Sequence, residues 1–197
     1  MNQARARTRL SPAARQDQLL DTTRSLIIQS GLQAFTMEGL AQAAEVSAPL
    51  VYNYFPTRQE LLQTLLQREY QRFIKEFVAA VKDAKNFEDI VRVSVATNFD
   101  HQAPGQILPL LLSQPEIAAA IHSTRDQNSR ENARFLVREA SEHYQLDSKQ
   151  AQLVISMSSG ASIAAAELAE KTGLDREETI DLAVSYILAG IERIAEG

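Results

Sequence analysis

The sequence predicts an all-α fold, and three observations carry that prediction. Gly and aromatic residues are scarce, with 7 Gly and 6% aromatic residues in 197. Ala, Leu, Glu, Gln and Arg dominate instead, and all favour helix. Apolar residues recur at spacings of three and four along most of the chain, and no segment alternates as a strand does. The gaps between these segments carry helix punctuation: Ser11-Pro12, Thr57-x-x-Glu60 and Asp175-x-x-Glu178 at starts, Gly31 and Gly173 at ends. About nine helices are expected, and the length suits one or two domains with a sizeable core.

The stretch from Ala4 to Arg9 has no apolar face and reads as part of a disordered basic arm, residues 1–10. Ser11 then caps a helix over about 12–30, in which Leu19, Leu20, Thr23, Leu26 and Ile27 keep helical period. Thr36 opens a short second helix, with Phe35 placed to staple onto Leu40. Ser47 caps a short third helix that tolerates Pro49 in its first turn and stops at Pro56. The capping box at Thr57 starts a long helix to about Asp83. Helices over 86–102, around Ile107 to Leu112, and from Pro115 to Tyr144 come next. The polar middle of the last of these, Ser123 to Arg130, marks a place for a kink. Two more helices, Ser148 to Thr172 and the one after Asp175, complete the chain.

Composition excludes several chemistries. There is no Cys, so disulfides, thiolate zinc sites and Cys nucleophiles are absent. No apolar run approaches the roughly 20 residues of a membrane helix, and no apolar segment follows the basic start as in a secretory signal. A soluble, cytoplasmic protein is expected. His101, His122 and His143 are spaced 21 apart without a short-range ligand pair, so no metal site is expected. Ser158-Ser159-Gly160-Ala161-Ser162 lacks the pattern and the strand of a nucleophile elbow. Glu177-Glu178 sits at a helix start, where the dipole favours it. No catalytic set and no cofactor site emerge, so the chain is not read as an enzyme.

Charge is uneven. Residues 1–58 hold six Arg against four carboxylates, a net +2, which leaves −7 for the rest of a chain of net charge −5. A basic head on an acidic body fits a head that meets nucleic acid.

Residues 36–58 are the informative stretch. They read as helix, tight turn, helix: Leu40, Ala41 and Ala44 share one face, Val46 lies in the turn, and Val51 and Phe55 lie one helical turn apart. Small Ala41 lets two short helices cross closely, as in a helix-turn-helix whose second helix enters the major groove. Thr36 suits a phosphate oxygen, Tyr52 and Tyr54 offer phenolic donors, and Arg58 adds a cation. Ala48, Pro49 and Leu50 suit thymine methyls, and Asn53 an adenine edge. The same spacing also fits two packed helices of an ordinary bundle with partly buried tyrosines.

The run Val46-Ser47-Ala48-Pro49-Leu50-Val51-Tyr52-Asn53-Tyr54-Phe55, followed by Arg58 and Leu61-Leu62, resembles the DNA-binding signature of TetR-type transcriptional regulators. The likeness covers about residues 12–62. Two positions depart from the family pattern: Glu45 stands where a turn Gly is usual, and Arg58 where a Lys is usual. Glu45 is therefore expected in the left-handed region at a cost of about 1 kcal/mol. The resemblance implies a homodimer on a palindromic operator, with phosphate contacts at Thr36, Tyr52, Tyr54 and Arg58. It places base-facing positions at Ser47, Ala48, Pro49, Leu50 and Asn53. It also implies a DNA-binding domain over 11–56 and an effector-binding and dimerisation domain over 57–197.

In that second part the last two helices are the dimer candidates, through Leu153, Gly160, Ala161, Ala164 and Leu168 and through Val184, Ile187, Leu188 and Ile191. Periodicity alone says only that these residues are buried. Phe73, Phe77, Phe99, Ile107, Leu111 and Met157 are candidate lining residues for a small, mainly apolar effector, and each fits the monomer core equally well. The expected function is a DNA-binding regulator, a repressor more than an activator. The competing reading is a helical adaptor or small-molecule-binding protein without DNA-binding activity. The arm with Arg5, Arg7 and Arg9 reads either as a reach toward DNA or as a solvated tail.

Overall fold

The computed structural model describes residues 10–102 and 106–196, and the side chains of 101 and 102 are not among the described ones. Residues 1–9 of the basic arm and the His101 side chain therefore lie outside the described residues. The helices are α1 (Pro12–Ser30), α2 (Met37–Ala43), α3 (Ala48–Tyr54), α4 (Arg58–Asp83), α5 (Phe87–Gln102), α6 (Ile107–Leu112), α7 (Pro115–Ala118), α8 (His122–Tyr144), α9 (Ser148–Thr172) and α10 (Arg176–Ala195). No strand occurs among the described residues.

Four of the five expected caps form, the exception being Ser47, which makes no side-chain capping bond, and Asp147 adds one that the sequence does not single out. Ser11, Thr36, Thr57 and Asp175 each accept a hydrogen bond from a first-turn N–H, and Asp147 forms a capping box with Gln150. A tight 3₁₀ turn, Ala119–Ile121, joins α7 to α8, so 115–144 is one bent element. Counted that way, the described residues hold nine helical elements. The bend lies upstream of the polar stretch 123–130, which continues as regular helix. Two glutamines one turn apart on α4 serve this bend: Gln63 Nε2 donates to the Glu116 carbonyl (2.7 Å) and Gln67 Nε2 to that of Ala120 (3.5 Å). Irregular backbone would otherwise leave such carbonyls without partners.

Two apolar cores lie side by side. The first gathers α1, α2, α3, the first half of α4, α6 and α7 around Leu19, Ile27, Leu40, Val51, Leu65 and Leu111. The second is formed by α5, α8, α9 and α10 around Val95, Ala140, Val154, Ile180 and Ile191. At 26 residues, α4 is long enough to take part in the first core and then run past the second. Its Leu61, Leu62, Leu65 and Leu66 are all fully buried.

Next to these leucines sits a buried carboxylate. Glu69 is 5% exposed, and Arg68 Nε and Nη2 donate to its Oε1 at 3.2 and 3.0 Å. Arg24 of α1 lies 3.3 Å from its Oε2, and Arg72 lies 3.6 Å from the same oxygen. Arg68 also bonds Asp21 of α1 at 2.8 Å. A buried carboxylate is tolerated only when paired in this way.

Glu69→Gln removes the charge and leaves three guanidinium groups facing a neutral amide. Because those arginines keep access to water, the expected cost is about 2 kcal/mol, below the range for a fully buried pair. Urea denaturation checks it, and an unchanged midpoint would contradict this account of the cluster.

Candidate nucleic-acid interface

The helix-turn-helix is built by packing. Leu40, Ala41 and Ala44 of α2 and its end meet Val51 and Phe55 from α3, all 5% exposed or less. Small Ala41 and Ala44 let the two short helices approach closely. In the turn, Glu45 adopts φ 54°, the left-handed conformation expected at this position, where a turn Gly is usual. The N–H of Val46 bonds the Ala41 carbonyl at 3.0 Å and closes the end of α2. Gln18 of α1 donates to the Ala44 carbonyl at 3.4 Å and ties this turn to the first helix.

Thr36 Oγ1 accepts from the Gly39 N–H at 3.0 Å, and a Cβ at position 39 would stand 3.0 Å from that oxygen. Glycine at 39 thus lets the cap close. The hydroxyl proton of Thr36 remains able to donate outward. Ser47 begins α3 without a side-chain capping bond and is exposed.

Pro49, Tyr52 and Asn53 project from α3 into solvent, while Ala48, Leu50 and Tyr54 are half-buried. Ala48 and Tyr54 lean on the first core. The Tyr52 hydroxyl donates to Glu38 Oε1 at 3.1 Å, across the face shared by α2 and α3. That bond, with smaller contributions from burial and from the Glu38 charge, raises the phenol above its ordinary pKa. Nothing in the sequence singles out Glu38, since an acid in the first turn of α2 reads there as a dipole contact.

Arg58 is placed differently from a free cation. Its Nη2 donates to the Leu32 carbonyl (2.8 Å), its Nε to the Phe35 carbonyl (3.4 Å), and its guanidinium lies 5.8 Å from the Phe35 ring centre. It fastens the loop between α1 and α2 to the start of α4. A Lys could not bridge two carbonyls with a planar fork.

A cavity of about 500 Å³ lies between α4, α5, α8, α9 and α10. Phe73 and Phe77 line it, together with Tyr70 and Phe87, which carry no distinguishing signal in the sequence. The other expected lining residues lie elsewhere. Phe99 is buried in the second core, Ile107 and Leu111 in the first, and Met157 is 58% exposed on the outer face of α9. Hydrophobic period marks a buried face but not which neighbour that face meets.

The outer faces of α9 and α10 also correct the reading of the last helix. Val184, Ile187 and Ile191 are at most 4% exposed inside the monomer and Leu188 is half-buried, so α10 turns this stripe inward. The apolar residues it leaves outside are Leu182 and Tyr186, each 70% exposed. On α9, Leu153, Met157, Gly160, Ala164 and Leu168 form an outward stripe at helical period, with Ala161 at its edge.

Residues 19–65 match the family model described as bacterial regulatory proteins, tetR family. Over this segment, about a quarter of its length, the chain is similar to the tetR family. The HTH-type transcriptional regulator LuxR of Vibrio harveyi is 35% identical over 75 residues, 36% of this chain and 37% of that protein. The HTH-type transcriptional repressor KstR of Rhodococcus jostii is 36% identical over 58 residues, 29% of this chain and 27% of that protein. The chain therefore matches only about a third of the length of these relatives. A solved putative transcriptional regulator from Pseudomonas aeruginosa covers 98% of this chain and 97% of its own, with a TM-score of 0.70 at 17% identity. That likeness extends the shared fold over both cores.

Arg58→Lys should cost about 1 kcal/mol of stability through loss of a loop hydrogen bond, with the charge retained. Denaturant titration measures this. A variant as stable as the native chain would mean that the two carbonyl contacts contribute nothing.

Proposed function

We propose that this chain is a sequence-specific DNA-binding transcriptional regulator of the tetR family, a repressor released from a palindromic operator by a small, mainly apolar effector. The observation that carries the reading is the exposed face of α3. Pro49, Tyr52 and Asn53 stand outward from a helix whose other side is fixed by Val51 and Phe55 in the core. Tyr52 and Thr36 supply neutral donors for phosphate oxygens, and Asn53 supplies a paired donor and acceptor for a base edge. Ser47, Ala48 and Leu50 complete the base-facing end. Tyr54 and Arg58 contribute mainly by holding the head together.

The domain division proposed is a DNA-binding part over 11–56 and an effector and dimerisation part over 57–197. The homodimer proposed uses the outward face of α9 and α10. Leu153, Leu168, Leu182 and Tyr186 are each more than half exposed there, and apolar surface of this kind marks an interaction site. At Gly160 and Gly190 an added Cβ would meet nothing within 4 Å, so a partner helix has room to approach. No described helix is long and apolar enough to cross a membrane, and the place of action proposed is the cytoplasm. The sign proposed, repression, follows the name of the KstR relative.

Release is a population shift. The head, through α1, and the cavity both sit against α4, so an effector that binds better to one inclination of α4 favours one spacing of the two heads. The effector can shift the equilibrium only by that difference in affinity.

Fluorescence anisotropy with the DNA upstream of the chain's own gene tests the reading, with operators selected from random DNA as the second source. Tyr52→Ala should weaken binding to cognate and scrambled duplexes alike. Asn53→Ala should relax the preference at one base position by about 1–3 kcal/mol. Equal losses on both duplexes for Asn53→Ala would remove it from base reading. Failure of selection from random DNA would remove the regulator reading.

A further inference from the structure

The polar middle of α8 is not explained by a bend, because the helix runs straight through it. Its residues Arg125, Asn128, Ser129 and Asn132 fall at spacings of three and four and all line the 500 Å³ cavity. Opposite them the wall is apolar and aromatic, with Phe73, Phe77 and Phe87. The cavity thus has one greasy wall and one hydrogen-bonding wall.

Its charge is one-sided. Arg125 is the only cation among the described lining residues, and no Asp or Glu is among them, although the body beyond residue 58 is net acidic. Arg125 pairs with no carboxylate among the described residues, and its neighbour Asp126 lies instead 3.1 Å from His122 Nδ1. A second groove shares Tyr70, Ile74 and Asn128 with the cavity and adds Lys75 and Lys82, again without an acid among the described residues. Arg125 and Ser129 are exposed, at the rim of the cavity, and Asn128 and Asn132 are half-buried. A guanidinium at the edge of apolar walls, without a carboxylate partner, has a free fork for a carboxylate.

We infer that the effector is an amphipathic anion: its carboxylate meets Arg125 with Asn128 and Ser129 at the α8 wall, and its apolar part lies against Phe73, Phe77 and Phe87. This rests on the reading of the cavity as the effector site and adds a charged head to an otherwise apolar ligand. A neutral ligand of the same shape would fill the apolar wall and leave the guanidinium unpaired. Discrimination therefore comes from the head and affinity from the tail.

Isothermal titration calorimetry on the full chain without DNA tests this with two matched pairs, decanoate against decanol and 2-naphthoate against 2-naphthol. At least one acid should bind about tenfold tighter than its alcohol, as expected for one charge-assisted hydrogen-bonded pair. Arg125→Gln should abolish that preference while leaving the alcohol's affinity unchanged. Arg125→Lys should restore part of it, and Arg130→Gln, outside the cavity lining, should leave it intact. Equal binding of acid and alcohol, an acid preference that survives Arg125→Gln, or no binding of any probe to the folded chain would overturn the inference. Because no DNA is present, a chain that selects an operator yet shows no acid preference loses only this inference. A chain that prefers acids but selects no DNA loses the regulator reading instead.

Discussion

Glu69 sits where everything else in this molecule has to agree. Its carboxylate is buried on α4, just past the leucines that belong to the first core, and Arg24 reaches it from α1. The ion-pair cluster therefore crosses the boundary between the helix that carries the head and the helix that borders the cavity. Apolar packing alone would let α1 slide on α4, because hydrophobic contact is non-directional. A paired carboxylate has fixed partners and fixed distances. It ties the inclination of α4 to the position of α1, which is what the effector-driven release proposed above requires.

The head shows the same division between packing and polar fixing. Leu40, Ala44, Val51 and Phe55 place α3 against α2, and any helix pair of similar volumes would do that. The details that orient the outer face are polar: the Thr36 cap closed over Gly39, the Arg58 fork on two loop carbonyls, and the Tyr52–Glu38 bond. The last has a consequence for DNA contact. A phosphate that accepts from Tyr52 must replace Glu38 as its partner, so the phenol exchanges one anionic acceptor for another and gains less than a free donor would.

The cavity is where side-chain period and three-dimensional placement part company. The polar stretch of α8 reads from the sequence as a place for a kink. It instead continues as helix and borders the cavity, because α8 packs on α9 with Asn128 and Asn132 half-buried beside residues of α4 and α5. The inward stripe of α10 is the converse case. Val184, Ile187 and Ile191 have the spacing of an interface, yet they fill the monomer's second core, and the exposed residues are Leu182 and Tyr186.

The helices, the caps at Ser11, Thr36, Thr57 and Asp175 and the helix-turn-helix are legible in the amino-acid order, because they depend on residues within a few positions of one another, and the family resemblance adds the left-handed turn at Glu45. Capping, turn chemistry and hydrophobic period are local, and α2 and α3 are too short and too close in sequence to pack in many ways. Three features are legible only in three dimensions: which face of α10 is buried, what α8 presents to the cavity, and that Arg58 and Glu69 are fasteners. Each of those depends on partners 20 or more residues away, and a helical stripe has the same period whichever neighbour it meets.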